Sequence, residues 1–292
     1  MKKNFKLFCF GFGQVAQYFV KNLIKNKFNF DLITTNTKET LLGEFNGLKY
    51  KSFYFSGNNF DKDLLKELNS SNKVLISISP KNNIDIVLKT FDKNFRSNKF
   101  DWVIYLSATS VYGDKKGHWV NESTNLKPTS ERGKARLNAE NSWLRYNKNF
   151  NLPVQIFRLS GIYSLENNII KRLKMGTLKV VKKTNHYFSR IHVEDIAQIL
   201  TLSLKKNKPG EIFNISDNHP CSNEEIAKYA ANLINVSVPK KIEVNEINSK
   251  MLKEFYNDSK KIDNKKMKDF FNYNLKYPTY KEGLQMIRNY KI

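Results

Sequence analysis

Hydrophobic positions along this chain alternate between two periods. Phe5 to Phe10 is a short apolar run, and Phe30 to Thr35 is a second. Between them Val15, Phe19, Val20, Leu23 and Ile24 recur at helical spacing. Strand, turn, helix and strand open a parallel βαβ unit. Tyr50 to Phe55, Val74 to Ser79, Trp102 to Leu106 and Val154 to Leu159 read as further strands. Leu64 with Leu68, Ile84 to Phe91 and Lys134 to Tyr146 read as the helices between them. Trp102 to Leu106 is apolar throughout, as a strand covered on both faces must be. The pattern predicts an α/β fold with a doubly wound parallel sheet.

The rhythm changes after about Gly161. Asn167 to Leu173 and His192 to Leu204 carry helical patterns, and Glu211 to Ile215 reads as a strand. Gly176 to Val181 and His186 to Ile191 read as short strands or turns, and Ile242 to Ile247 as another strand. Ser222, with Glu225 three residues on, marks a helix start. The expected organisation is a larger N-terminal domain over 1–163, with a return segment near 187–205. A smaller C-terminal domain is expected over 164–292.

Composition narrows this picture. A chain of 292 residues, 40% hydrophobic and 13% aromatic, has material for a sizeable core. No apolar run approaches the roughly 20 residues a spanning helix needs, so no membrane role is expected. Met1-Lys2-Lys3 before Leu7-Phe8-Cys9-Phe10 superficially imitates a leader. Lys6 and Gln14 interrupt it and no clean cleavage site follows, so a first strand is the better reading. Two cysteines without a C-x-x-C pair and four scattered histidines give no metal spacing. A reduced, cytoplasmic protein without metal is expected.

The net charge of +23 raises nucleic acid as a partner. The lysines, however, are spread along the whole chain among asparagines, as in Lys21-Asn22 and Lys25-Asn26-Lys27. That distribution describes solvated faces, and no known nucleic-acid motif accompanies it. Nucleic acid is therefore not the expected partner. The field still favours small anionic ligands, such as phosphorylated cofactors.

Gly11-Phe12-Gly13-Gln14-Val15-Ala16 stands between the first strand and the first helix. In that setting the first glycine permits a tight turn and the second lets a pyrophosphate approach the backbone. A small residue at Ala16 lets helix and strand pack closely. Gly11, Gly13, Gln14 and Val15 would place the phosphates at a helix N-terminus. NAD binders usually put an acid at the end of the second strand. Here Thr34-Thr35 leads into Asn36-Thr37-Lys38, and Asp31 comes too early. Asn36 and Lys38 suit a 2′-phosphate, so NADP is expected, with NAD as the alternative.

Further stretches carry a resemblance. They are Val74 to Pro80, Ser107-Ala108-Thr109-Ser110-Val111-Tyr112-Gly113, Pro128 to Arg136, Phe157 to Tyr163 and Arg190 to Ala197. With the Gly-rich turn they resemble the extended short-chain dehydrogenase/reductase family. The match is best to its atypical, epimerase-like members. The resemblance implies that Ser77, Pro80 and Ser107 lie beside the cofactor. It also implies a changed active site. The family's Tyr, its Lys four residues on, and its Ser or Thr fall on Arg132, Arg136 and Ala108.

Arginine is no acid or base at neutral pH. Arg132 and Arg136, one helical turn apart, could instead clamp a phosphate or carboxylate. Arg136 alone could hold the nicotinamide ribose. Thr109 offers a hydroxyl next to Ala108. Tyr112, His118, Tyr163 and Arg190 are the candidate substrate contacts, and His118 sits on a loop expected to cover the cleft. His118, Tyr163 and His192 are the remaining proton carriers. The implied function is an NADP-dependent oxidoreductase or epimerase-like enzyme acting on a small anionic or nucleotide-linked sugar. The alternative is a catalytically silent NADP(H)-binding sensor or partner-binding protein. A homodimer is suggested by the resemblance alone.

Overall fold

The structure is a computed structural model and describes residues 4–97 and 99–290. In chain order it begins β1 (Phe5–Phe10), α1 (Gln14–Lys25), β2 (Phe30–Asn36), β3 (Leu41–Phe45), β4 (Leu48–Ser56), β5 (Asn59–Phe60) and α2 (Asp63–Ser70). It continues β6 (Lys73–Ile76), α3 (Ile86–Ser97), β7 (Trp102–Ala108), β8 (Trp119–Val120), α4 (Glu131–Phe150), β9 (Val154–Leu159) and β10 (Gly161–Tyr163). Next come α5 (Ile169–Lys174), β11 (Val180–Val181), β12 (Arg190–His192), α6 (Val193–Ser203), β13 (Ile212–Ile215) and α7 (Asn223–Leu233). The last elements are β14 (Lys241–Ile242), α8 (Lys250–Asn257), β15 (Lys261–Ile262), α9 (Lys265–Phe271) and α10 (Tyr280–Asn289).

These elements cluster into two compact units. The first takes the chain up to Ala108, then Lys134–Arg158 and Ile196–Phe213. The second takes Thr109–Gly133, Leu159–Asp195 and the chain from Asn214 onward.

The first unit is built on a sheet ordered β13-β9-β7-β6-β1-β2-β4-β3, with β5 paired to β4. The β4–β2–β1–β6–β7 pairings are all parallel. From β1 the order runs one way through β2 and β4 and the other way through β6 and β7. This is a doubly wound α/β arrangement whose switch point lies between β1 and β6. β1 and β7 are almost wholly buried, which is why they read as continuous apolar runs. On one face Phe10 packs among Phe55, Phe91 and Phe95, and Phe95 meets Trp143 of α4 edge-on. On the α1 side, Phe19 stacks on Trp102.

A buried ion pair joins α4 to β9. Arg158 and Glu140 are each 1% exposed, with Arg158 Nη2 to Glu140 Oε2 at 2.7 Å. Arg158 Nε lies 3.1 Å from Oε1, and the Ser107 hydroxyl donates to the same oxygen at 2.5 Å.

The second unit has its own core. Tyr163, Ile169, Ile170, Val180, Ala227, Ala230, Tyr280 and Leu284 belong to it, bringing α5, α7 and α10 together. Asp195, fully buried, accepts hydrogen bonds from the Tyr273 hydroxyl and from the backbone N–H groups of Lys276 and Tyr277. It thereby pins the segment before α10.

Some elements depart from the pattern reading. β3 and β4 form a hairpin, of which only the β4 portion was expected. Its turn is Asn46-Gly47, both at positive φ (50° and 79°), the geometry that asparagine-glycine supplies most readily. Tyr50 lies across Gly43, where a Cβ would come within 2.6 Å of the ring. The strand expected from Val74 stops at Ile76, and Ser77 follows with its N–H and its hydroxyl both donating to Phe10 O. The strand expected over Ile242 to Ile247 is only Lys241–Ile242 followed by a 3-10 turn, in which Glu246 accepts the Glu243 N–H. α9 and α10 fill a tail for which the pattern named no helix. Among the described residues no helix is long and apolar enough to cross a membrane.

Removing one member of the buried pair strands a charge in the core. Arg158→Met is expected to cost about 3–5 kcal/mol of stability, read by urea unfolding. A loss below about 1 kcal/mol would mean that the pair contributes no more than a surface one.

Candidate functional site

At the switch point the chain leaves β1 through Gly11, whose φ is +84°. A Cβ there would stand 2.8 Å from Ser77 Oγ, so only glycine passes beneath the β6 end without displacement. The Ser77 hydroxyl donates to Phe10 O and Gly11 O, and Gly11 N–H donates to Thr35 Oγ1. Gly13 caps α1 with no side-chain hydrogen bond, and a Cβ on it would meet nothing within 4 Å. The result is an open cradle at a helix N-terminus, bounded by Gln14 and Val15. It fits a pyrophosphate, and hence a dinucleotide, by shape and by dipole.

At the end of β2, the Asn36 side chain is fully engaged. Its Oδ1 accepts Lys38 N–H and Glu39 N–H, and its Nδ2 donates to Ser52 Oγ and Glu39 O. It shapes the turn that presents Thr37, Lys38 and Glu39 to solvent. Glu39, an acid in this turn, was passed over in the sequence reading.

Arg136 is half-buried and braced inside the first unit. Nη1 donates to Leu106 O at 3.0 Å and Nη2 to Ser79 Oγ at 2.8 Å. Pro80 follows Ser79 on that loop. Ser107 is buried and committed to Glu140, so its hydroxyl belongs to the ion pair. Thr109 is half-buried and opens a 3-10 turn, Thr109–Tyr112, in the second unit. Tyr112 is fully buried and donates to Asn214 Oδ1 at 2.7 Å. Arg132 is exposed in the first turn of α4.

The second unit encloses a cavity of about 620 Å³. Tyr163 and Arg190 line it, as do Arg172, Lys179, Asn223, Phe188 and Tyr256. Tyr112 and His118 do not. His118 is exposed, and its carbonyl accepts Lys261 N–H beside the β8–β15 pair. None of the described lining residues is acidic.

Arg190 Nη1 donates to Phe188 O and Cys221 Sγ at 3.0 and 3.1 Å, and makes no ion pair with a carboxylate among the described residues. Partial desolvation and the Arg190 charge pull Arg172 below its ordinary pKa. Asp217 is buried, and burial pushes its pKa up to about 8 although the nearby Arg190 charge pulls it down. Burial likewise raises the Tyr163 phenol and pushes His192 down to about 4, so neither exchanges protons readily at neutral pH. His192 is fully buried, and its Nδ1 accepts Glu194 N–H at 3.2 Å. Arg172 and Lys179 were missed in the sequence, where they look like any other surface cations. Among the described residues no group of His, Cys, Asp and Glu is arranged to hold a metal.

Comparison with known proteins agrees with this architecture. The model of the NAD dependent epimerase/dehydratase family matches residues 81–216. A functionally unknown conserved protein from Silicibacter pomeroyi DSS has a structure superposing with a TM-score of 0.85 and 31% identity, over 97% of this chain and 98% of that one. UDP-glucuronic acid 4-epimerase from Bacillus cereus, in complex with UDP-glucuronic acid and NAD, shares the fold at a TM-score of 0.79 and 20% identity, over 98% of each chain. dTDP-D-glucose 4,6-dehydratase of Dictyostelium discoideum is 27% identical over 227 residues, 63% of this chain and 50% of that protein. The chain spans about half the length of the curated relatives it matches. Residues 81–216 thus match the NAD dependent epimerase/dehydratase family, and nearly the whole chain shares the fold of such proteins.

Two substitutions separate cofactor loss from misfolding. Gly13→Asp points into open space, so stability should change by less than about 0.5 kcal/mol while nucleotide binding is abolished. Gly11→Ala strains a positive φ and meets Ser77, so it should lower stability by about 1–3 kcal/mol as well. Calorimetric titration and thermal unfolding of both variants check this.

Asp217 gives a pH prediction. Its folded pKa lies above its unfolded value, so the fold holds a proton that the unfolded chain has released. Its contribution to stability is therefore present below about pH 4, is lost as pH rises towards about 8, and is flat beyond. Asp217→Asn should remove that decline, measured as Tm across this range.

Proposed function

We propose that this protein is an NAD(P)-dependent enzyme performing an oxidoreductase or epimerase-like reaction on a small, anionic, nucleotide-linked sugar. The observation that carries this reading is the cavity in the second unit. Arg172, Lys179 and Arg190 line it, and among the described residues no carboxylate does. A wall with basic groups and no acid favours a phosphate or carboxylate ligand. Tyr163, Phe188 and Tyr256 supply apolar wall for a ring. The relatives that act on dTDP-glucose or bind UDP-glucuronic acid support the substrate class.

In the first unit, Gly11, Gly13, Gln14 and Val15 would hold the pyrophosphate of the cofactor. Ser77, Ser79 and Pro80 would flank its other half. A bound nicotinamide supplies hydride transfer. Arg136 stands at the position that the family resemblance gives to the Lys. Braced by Leu106 O and Ser79 Oγ, it would hold the ribose. Arg132, one turn earlier on α4, takes the Tyr position and binds anionic substrate rather than moving a proton. With Ala108 in the third place, Thr109 provides the nearest hydroxyl. Lys38, in the turn that Asn36 shapes, favours the 2′-phosphate of NADP.

Titration with NADPH and NADH tests the cofactor half. NADPH should bind at least about tenfold tighter, a difference of ~1.4 kcal/mol, and Lys38→Ala should erase the preference. Titration with UDP-glucuronic acid tests the substrate half. Arg190→Ala should weaken it by roughly 10–100-fold, the value of a lost charge-assisted hydrogen bond, and leave NADPH affinity unchanged. Saturable cofactor binding without turnover of any sugar nucleotide would favour a silent NADP(H)-binding protein.

A further inference from the structure

Lys260 is buried near the stretch that enters α4, and nothing in the proposed reaction uses it. Its side chain and that of Asp258 are each 11% exposed. Lys260 Nζ donates to Gly113 O at 3.0 Å and to Asp258 Oδ2 at 3.2 Å. The other carboxylate oxygen, Asp258 Oδ1, accepts the Thr129 hydroxyl at 2.6 Å. One ammonium and one carboxylate thus connect Gly113 with Thr129.

Those two points flank a tight backbone contact. Gly113 has φ +67°, and a Cβ on it would stand 1.7 Å from Lys127 O. Gly133 is as constrained, with Ser110 O 2.8 Å and Pro128 Cβ 2.9 Å from where its Cβ would be. The Ser130 hydroxyl accepts Gly133 N–H at 3.1 Å. Ser110 to Gly113 therefore lies directly against Lys127 to Gly133, the segment that contains Arg132. The strap around Lys260 is tied as well. Asp114 Oδ1 accepts Ser259 N–H, and Ser259 O accepts the N–H groups of Lys115 and Gly117.

We propose that Lys260 is a positioning residue for Arg132: its ammonium clips Gly113 to Asp258, and Asp258 to Thr129, so that the turn into α4 has one conformation. The functional part of this rests on the reading in which Arg132 binds substrate. A lysine suits the task because a compact cation on a flexible stem can satisfy a carbonyl and a carboxylate together. Burial lowers its pKa, and the Asp258 and Asp114 charges act in the opposite direction. Removing the charge keeps the backbone contact but leaves Gly113 O and Asp258 without their shared donor.

The test compares Lys260→Met, Arg132→Ala and the double variant by UDP-glucuronic acid titration, NADPH titration and trypsin cleavage at Arg132-Gly133. Lys260→Met should speed that cleavage and weaken UDP-glucuronic acid, each by about fivefold or more, with NADPH affinity within about twofold. In the Arg132→Ala background it should weaken the sugar nucleotide no further. Thr129→Val, which cuts only the bond to Asp258, should act in the same direction and guards against a misfolded Lys260→Met. Additive losses in the double variant, or cleavage unchanged in both Lys260→Met and Thr129→Val, would overturn the proposal. If the unsubstituted protein binds no sugar nucleotide, Arg132 is not a substrate contact, and the cleavage rates still decide whether Lys260 fixes the turn.

Discussion

A carboxylate and a guanidinium sealed from water set the orientation of α4. Burying Glu140 and Arg158 costs both their hydration, which close geometry and the added Ser107 hydroxyl offset. Such a pair tolerates little rotation of the helix. On α4, Arg136 precedes Glu140 by one turn and Trp143 follows it, so the three share a stripe. Trp143 Nε1 donates to Asp85 Oδ2, and Arg136 reaches Leu106 O and Ser79 Oγ. The ion pair therefore fixes a basic group at the ends of β6 and β7, beside the switch point of the sheet.

The second unit works by the opposite rule. Its cavity keeps Arg172 and Arg190 without a carboxylate, and the nearby Asp217 is pushed towards its neutral form by burial. Arg172, exposed, and Arg190, half-buried, are close enough for the Arg190 charge to lower the Arg172 pKa, and among the described residues no carboxylate lines the cavity to offset that repulsion.

Close backbone approach recurs where the chain must be held still. Gly11 passes under Ser77, Gly113 meets Lys127, and Gly133 meets Ser110. In each case a missing Cβ lets two segments touch that any larger residue would separate. The first of these was legible as part of a motif. The other two lie in stretches that carry the family resemblance, but the close approach that each makes becomes visible only with the contacts in view.

Local order was written plainly in the chain. Short apolar runs and helical spacing gave β1, α1, β2, β7, α4 and β9, and Gly11 with Gly13 announced the cradle between β1 and α1. Asn46-Gly47 also announced a hairpin, though Gly43 and Glu44 interrupt the apolar positions of β3 and hid it from a reading keyed to apolar runs. The candidate site was legible only in part. Tyr163 and Arg190 share a cavity, whereas Tyr112 is tied to Asn214 and His118 faces solvent. Arg172, Lys179 and Lys260 looked like ordinary members of a lysine-rich surface. Periodicity is a property of neighbours in sequence, so the chain alone determines its elements. Whether a charge has a partner, and whether a hydroxyl is free, depends on residues a hundred positions away, so only the tertiary structure decides them.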